Sequence, residues 1–357
     1  MKILLPFSLL AVVGAYVLRQ HDRPQTSIIE EGRREERVPG IGVHLTTSYA
    51  VAAVRYENGT TEDLVKVKAG ADYINLMTRW ADPASTRICD SDWEKLLCGI
   101  AQKKRDWNKF LGRPSTPEVG ILAAMLQDVK IALADKLRTE VKAINPVFPM
   151  LAGLEQKDVE DALGYAGLEW PSYSSWSVYR ETNAAYVGMG HGLCNDWENP
   201  HNCLFEETRM PYERALFLNF DNSSFEAVVQ LMKTASWQAT PDVYTLEMDL
   251  GWWDLPMYEV PRARFWARIH ETIVDVGNSG FGDIDKVFIL GQHASDPEFL
   301  DVVEGALKEI AGSPEVIGMQ EADDTEMLAA RGSAEWAYRA LNVQRNDEGS
   351  EAEGMEL

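Results

Sequence analysis

Thr46, Thr47 and Ser48 place three hydroxyls between two apolar segments, Ile41–Leu45 and Val51–Val54. Apolar runs on either side of a short polar turn predict a hairpin. Its tip would gather side-chain oxygens and free backbone N–H groups at one point, a geometry that can hold a phosphate. His44 stands in the first strand, where a phosphate site would want a carboxylate to hold a metal ion. Asp221, Asn222, Ser223 and Ser224 repeat the arrangement between Ala215–Phe220 and Phe225–Val229. A third group, His191, Cys194, His201 and Cys203, falls within thirteen residues and has the donors of a zinc site. Its spacing fits no common zinc pattern, and a disulfide-closed surface loop is the favoured reading. Cys89 and Cys98 form a similar local pair without histidines. Each local bridge would contribute about 2–3 kcal/mol through chain entropy. Crossed pairing and free thiols remain open.

The elements that position these groups leave partial signals. Thr116-Pro117-Glu118 is a cap followed by proline in the first turn. Val119, Leu122, Leu126, Val129 and Leu133 follow at helical spacing, predicting a core-facing helix to about Lys142. Ser91-Asp92-Trp93-Glu94 is a capping box and starts another helix. Further helices are expected at Lys157–Gly167, Arg262–Val276, Pro297–Ile310 and Thr325–Leu341, with strands at Val147–Phe148 and Val287–Leu290. Apart from the helix at Ser91, residues Val65 to Gly112 show little pattern. Trp252 and Trp253 are expected to cover an edge of the second half rather than to bind a ligand. No Gly-x-Ser-x-Gly, Walker A or dinucleotide fingerprint occurs.

A chain of 357 residues is long enough for two lobes, here expected at residues 40–212 and 213–341. The formal net charge of -22 argues against nucleic acid and against anionic membrane surfaces as partners. Ile3 to Leu18 is an apolar run after Lys2. Residues 1–18 therefore read as a signal peptide, with an uncleaved single-pass membrane anchor as the alternative. Membrane contact is expected only through such an anchor. Residues 19–39 read as a flexible linker and 342–357 as an acidic disordered tail. Sequons at Asn58 and Asn222, with the cysteine pairs, fit the secretory pathway, either the endoplasmic reticulum lumen or the exterior.

The run from Ile41 to Ala50 resembles the first phosphate motif of the 70-kDa heat-shock (DnaK-type) chaperones, in the superfamily of actin and the sugar kinases. The likeness continues in order along the chain. Thr116-Pro117-Glu118 is similar to the family's Thr/Ser-Pro-Glu-Glu, and Asp158 to Glu169 to its helix ending in Ala-Gly-Leu. Glu181-Thr182-Asn183-Ala184-Ala185-Tyr186 resembles Glu-Pro-Thr-Ala-Ala-Ala, and Leu216 to Glu226 resembles the second phosphate motif. Arg262-Ala263-Arg264-Phe265 matches Arg-Ala-Arg-Phe. Val287 to Pro297 resembles the adenosine motif, and Ala330 to Ala334 the closing small-residue helix. The resemblance covers Gly40 to about Leu341. It implies an α/β, two-lobed actin-like ATPase fold with duplicated mixed-sheet lobes, the upper part of the second lobe truncated.

The resemblance also implies a nucleotide site, at Thr46, Thr47 and Ser48, at Asp221, Asn222 and Ser223, and at Gly291, Gln292 and His293. His44 and Asn219 occupy the family's two metal-holding carboxylate positions, and Glu181 the position of a carboxylate near the catalytic water. Asp221, Asn222 and Ser223 replace the glycines that let backbone approach phosphate. Between Ala227 and Pro261 no equivalent of the adenine-clamping helix is visible. These departures lead to the expectation of a non-catalytic scaffold or binding protein with an unspecified protein partner, without cofactor or metal. His44, Glu181 and Asn219 would then be vestigial. The alternative is an ATP-binding protein or slow ATPase that uses ATP and magnesium at a rearranged site.

Overall fold

Runs of β-branched and aromatic residues broken by short polar turns give two sheets in this computed structural model. It describes residues 37–171, 179–235, 237, 241–279, 282–311, 318–320 and 322–354. The segment read as signal peptide or anchor lies outside the described residues. Residues Arg37–Leu357 form one compact unit.

In chain order the first half contains β1 (Gly40–Leu45), β2 (Tyr49–Arg55), β3 (Thr61–Lys68), α1 (Ala71–Ala81), α2 (Asp92–Phe110), α3 (Pro117–Leu137), β4 (Asn145–Val147), α4 (Gln156–Ala166), α5 (Glu181–Gly188) and α6 (Pro200–Arg209). The second half contains β5 (Glu213–Phe220), β6 (Phe225–Met232), β7 (Val243–Glu247), α7 (Glu259–Asn278), β8 (Lys286–Leu290), α8 (Pro297–Ala311), β9 (Gly318–Gln320) and α9 (Leu328–Gly354). One sheet has the order β3-β2-β1-β4, the other β7-β6-β5-β8-β9. In each, an antiparallel three-stranded meander is followed by a parallel strand beside its first member. Isolated parallel bridges, Ala143 to Glu169 and Phe148 to Arg180, lie beside β4 as β9 lies beside β8.

Each sheet has its own core. The stripe Val119, Leu122, Leu126, Val129 and Leu133 of α3 is buried with α1 and α4 against the first sheet. Phe265, Ile269 and Ile273 of α7 and Phe299 and Val303 of α8 are buried against the second. Between the sheets α5 and α9 cross, and small residues permit the approach. A Cβ on Gly332 would overlap the Ala184 carbonyl, and one on Gly42 would overlap the α9 backbone. The Ala/Gly-rich sequence of α9 is therefore a packing requirement.

Several elements differ from the sequence expectation. The strand β3, with its exposed outer face, and α1, which has no side-chain cap, gave no clear signal. The helix α3 stops at Leu137 because Arg138 adopts a left-handed conformation, φ 56°. Beyond Leu341, where a disordered tail was expected, α9 continues to Gly354. Adding residues to a formed helix costs little compared with nucleating one, so an acidic but helix-compatible tail extends it. Both local disulfides are present, Cys89–Cys98 and Cys194–Cys203. The zinc reading is thereby corrected: the sulfurs are bonded to each other, His191 stacks on Tyr186 at 5.1 Å, and His201 is exposed at the start of α6. The aromatic segment between β6 and α7 forms β7 and a short 3-10 turn at Trp252–Asp254. Trp252 packs edge-on against Phe220.

Candidate functional site

The β1–β2 and β5–β6 turns meet tip to tip. Thr46 spends its hydroxyl inside its own turn, accepting from the Ser48 and Tyr49 amides at 3.2 and 3.1 Å. Thr47 instead reaches across. Its Oγ1 lies 2.8 Å from Ser223 Oγ and 2.8 Å from Ser224 Oγ. All four hydroxyl residues are buried. An anion accepting hydrogen bonds from both turns would hold their donors roughly 5 Å apart. The two turns are in direct contact, so these residues do not fit a phosphate between them.

Behind the turns, buried charged groups satisfy one another. His44, near the end of β1, has Nε2 2.7 Å from Glu181 Oε2. Asn219, on β5, donates from Nδ2 to Glu181 Oε1 at 2.8 Å. Glu181 is the first residue of α5, where the helix dipole favours a negative charge. Directly across the hairpin from Asn219 stands Glu226. Its Oε1 accepts from the Met150 amide at 2.7 Å. Burial and the adjacent Glu181 charge push the Glu226 carboxyl well above the usual range, which favours its protonated form. Burial opposes charging of His44, but its hydrogen bond to Glu181 and the charges of Glu181 and Asp221 outweigh this and raise its pKa. Burial likewise works against ionised Glu181, and the hydrogen bond and charge of His44 lower its pKa overall. Both shifts favour His44 imidazolium with Glu181 carboxylate.

Asp221 caps the second turn. It accepts from Tyr49 Oη at 2.5 Å and from the Gln292 amide at 3.0 Å. Burial pushes its pKa up to about 6 despite these two hydrogen bonds. The Tyr49 ring lies beneath Lys66 Nζ, 4.3 Å from the centroid, and Lys66 also bonds Gln292 and Glu326. His44 Nδ1, Ser48 Oγ, Asn219 Oδ1 and Glu226 Oε2 are buried without a hydrogen-bond partner among the described residues. Such atoms cost about 1–3 kcal/mol each.

The residues at the adenosine-motif position brace the second turn. Gly291, at φ 103°, accepts from the Thr325 hydroxyl at 2.8 Å. Gln292 Oε1 accepts from Asn222 Nδ2 at 2.8 Å. His293 Nε2 lies 3.0 Å from Asn222 Oδ1, and its ring stacks on Trp252 at 4.3 Å. Burial and then Lys66 lower the His293 pKa, so the neutral ring donates to Asn222. Both ends of the Asn222 amide are therefore engaged, and a glycan there would displace this brace. Asn58 is exposed in the β2–β3 turn, its Oδ1 accepting from the Thr60 amide and hydroxyl.

The sequence reading named nine of these groups for the nucleotide and three as vestiges. It placed Ser224 in the second polar turn without a role there, and did not single out Tyr49 or Glu226. Strand parity carried a signal for Glu226, because a tight turn between Phe220 and Phe225 sets Asn219 opposite it. Tyr49 gave none. No family model and no curated protein matches this chain.

Proposed function

We propose that the chain is a degenerate protein of the actin-like ATPase fold, related in plan to the 70-kDa heat-shock chaperone ATPase domain, acting as a non-catalytic scaffold or binding protein of the secretory pathway. The observation that carries this reading is the contact of Thr47 with Ser223 and Ser224 across the position where a phosphate would lie. The repeated sheet order and the helices crossing between the sheets support the fold assignment. The two disulfides fit an oxidising compartment, and no described helix is long and apolar enough to cross a membrane. Magnesium prefers a set of oxygen ligands. Here His44 offers nitrogen and a positive charge, while Glu181 already balances it. The residues do not fit MgATP, and no catalytic step is assigned to them.

Thermal unfolding of the purified chain with and without millimolar MgATP tests this. A bound ligand at a hundred times its Kd adds about 2.7 kcal/mol of stability. The expected result is no shift. A magnesium-dependent rise in Tm would overturn the proposal and favour the nucleotide-binding or slow-ATPase reading.

A further inference from the structure

Asn58-Gly59-Thr60 and Asn222-Ser223-Ser224 both carry the Asn-x-Ser/Thr pattern of N-glycosylation, and the fold treats them oppositely. Asn58 stands at the tip of the β2–β3 hairpin. There the Tyr56 amide donates to the Thr60 carbonyl at 3.0 Å and the Gly59 amide to the Tyr56 carbonyl at 3.2 Å. Residues 57–63 are all exposed. Asn58 Oδ1 accepts from the Thr60 amide at 2.9 Å and from the Thr60 hydroxyl at 2.7 Å. The amide oxygen is thus held within the turn, while Nδ2 has no hydrogen-bond partner among the described residues. Asn222 is half-buried and fully engaged. Its Nδ2 donates to Gln292 Oε1, which also accepts from Lys66, and its Oδ1 accepts from His293. The hydroxyl residue of that sequon, Ser224, is buried with Oγ 2.8 Å from Thr47 Oγ1.

We propose that the folded chain carries one N-linked oligosaccharide, on Asn58, and none on Asn222. The inference rests on the secretory reading above, because that compartment supplies the activated sugar. In the transfer, Asn58 Nδ2 attacks C1 of an oligosaccharide held as a lipid-linked diphosphate. A bond forms between Nδ2 and C1, the bond from C1 to the diphosphate oxygen breaks, the lipid diphosphate leaves, and Nδ2 gives up one proton. A sugar on Asn58 Nδ2 projects into solvent and keeps both hydrogen bonds of Oδ1, so the modified turn needs no rearrangement. On Asn222 it would lie beside Gln292 and Lys66, in the turn that Ser223 and Ser224 hold against Thr47. Transfer can precede folding, so the discrimination lies in what the finished fold tolerates. A bulky polar group is accommodated at an exposed hairpin tip and not in a closed seam.

The test is to express the full chain in a eukaryotic secretory cell line and recover it from cells and medium. Peptide mapping by mass spectrometry then follows enzymatic sugar release in heavy-oxygen water. Asn58 should appear as oxygen-labelled Asp, and Asn222 as unchanged Asn. Asn58→Gln and Thr60→Ala should each remove the sugar, and Thr60→Ser, which keeps the hydroxyl, should retain it. Non-reducing mapping of the cysteines separates the two ways to fail. A chain with both disulfides formed and Asn58 bare overturns the inference and leaves the secretory reading standing. A chain with free thiols and no sugar overturns both. A sugar on Asn222 of the disulfide-bonded protein also overturns the inference, because the seam would then tolerate it.

Discussion

Polar side chains fill the seam between the two hairpins, whereas apolar side chains cover the outer face of α2. Both regions depart from the usual rule of apolar inside and polar outside, and they do so in opposite directions. In the seam, Glu181 holds His44 and Asn219, Asp221 holds Tyr49, and Thr47 holds two serines. Most of these groups have partners from the same chain. On α2, Arg105 makes inward ion pairs, and the apolar face stays exposed, its recorded ring contact being that of Trp107 with Phe110 of the same helix. Burial in this protein follows the supply of partners. Most polar groups of the seam find partners within the chain, while the apolar residues on the outer face of α2 stay exposed.

That contrast is most exposed to test at Glu181. Glu181→Ala leaves the His44 charge buried and unpaired, with an expected cost of about 3–5 kcal/mol in urea unfolding. A loss below about 1 kcal/mol would mean that the seam is hydrated and open. Thr47→Val removes both hydrogen bonds across the turns and should cost about 1–3 kcal/mol by the same measurement. If that variant instead gains a MgATP-dependent thermal shift, Thr47 is what keeps the turns shut.

The pH dependence separates the members of the seam. Asp221, raised to about 6, keeps a proton on folding that the unfolded chain has lost, so its stabilising term is complete below its model value of 3.8 and disappears as pH rises through 6. His44 and Glu226, both raised, act in the same sense. Glu181 is lowered, so its contribution is present above its model value of 4.5 and lost as pH falls through its folded value. Stability should therefore peak under mildly acidic conditions. From about pH 5 to pH 8 the Asp221 term alone should remove about 1–2 kcal/mol. Asp221→Asn should flatten that slope, and a stability that rises toward pH 8 would contradict the protonation pattern. The smallest effect belongs to the other region. Trp107→Ser on the outer face of α2 should change stability by no more than about 0.5 kcal/mol, because the ring is 61 % exposed and its one recorded ring contact is with the exposed Phe110.

Much of the scaffold was visible in the residues themselves. The two hairpins, the capped starts of α2 and α3, the buried stripe of α3, and the strand β8 are local patterns of two- or 3.6-residue period. β3, α1 and β7 were not seen, since an exposed strand face and an uncapped helix start dilute those periods. The candidate site was half visible. Hydroxyl-rich turns and the residues His44, Asn219 and Glu181 stood out by type, yet Tyr49 became part of the site only through Asp221, 172 residues away.

By itself the sequence determined what the local chain can do: where strands turn, where helices are capped, and which side chains carry charge or hydroxyls. Propensity and periodicity act over a few residues, so such features are written in neighbouring letters. Only the tertiary structure decided the distances between the two turns and the direction in which α2 faces. Those depend on how two separately built sheets meet through α5 and α9, and on whether Arg105 finds Asp158 and Asp161. A hydrogen bond forms or fails within a few tenths of an ångström, and no local pattern encodes a distance across the fold.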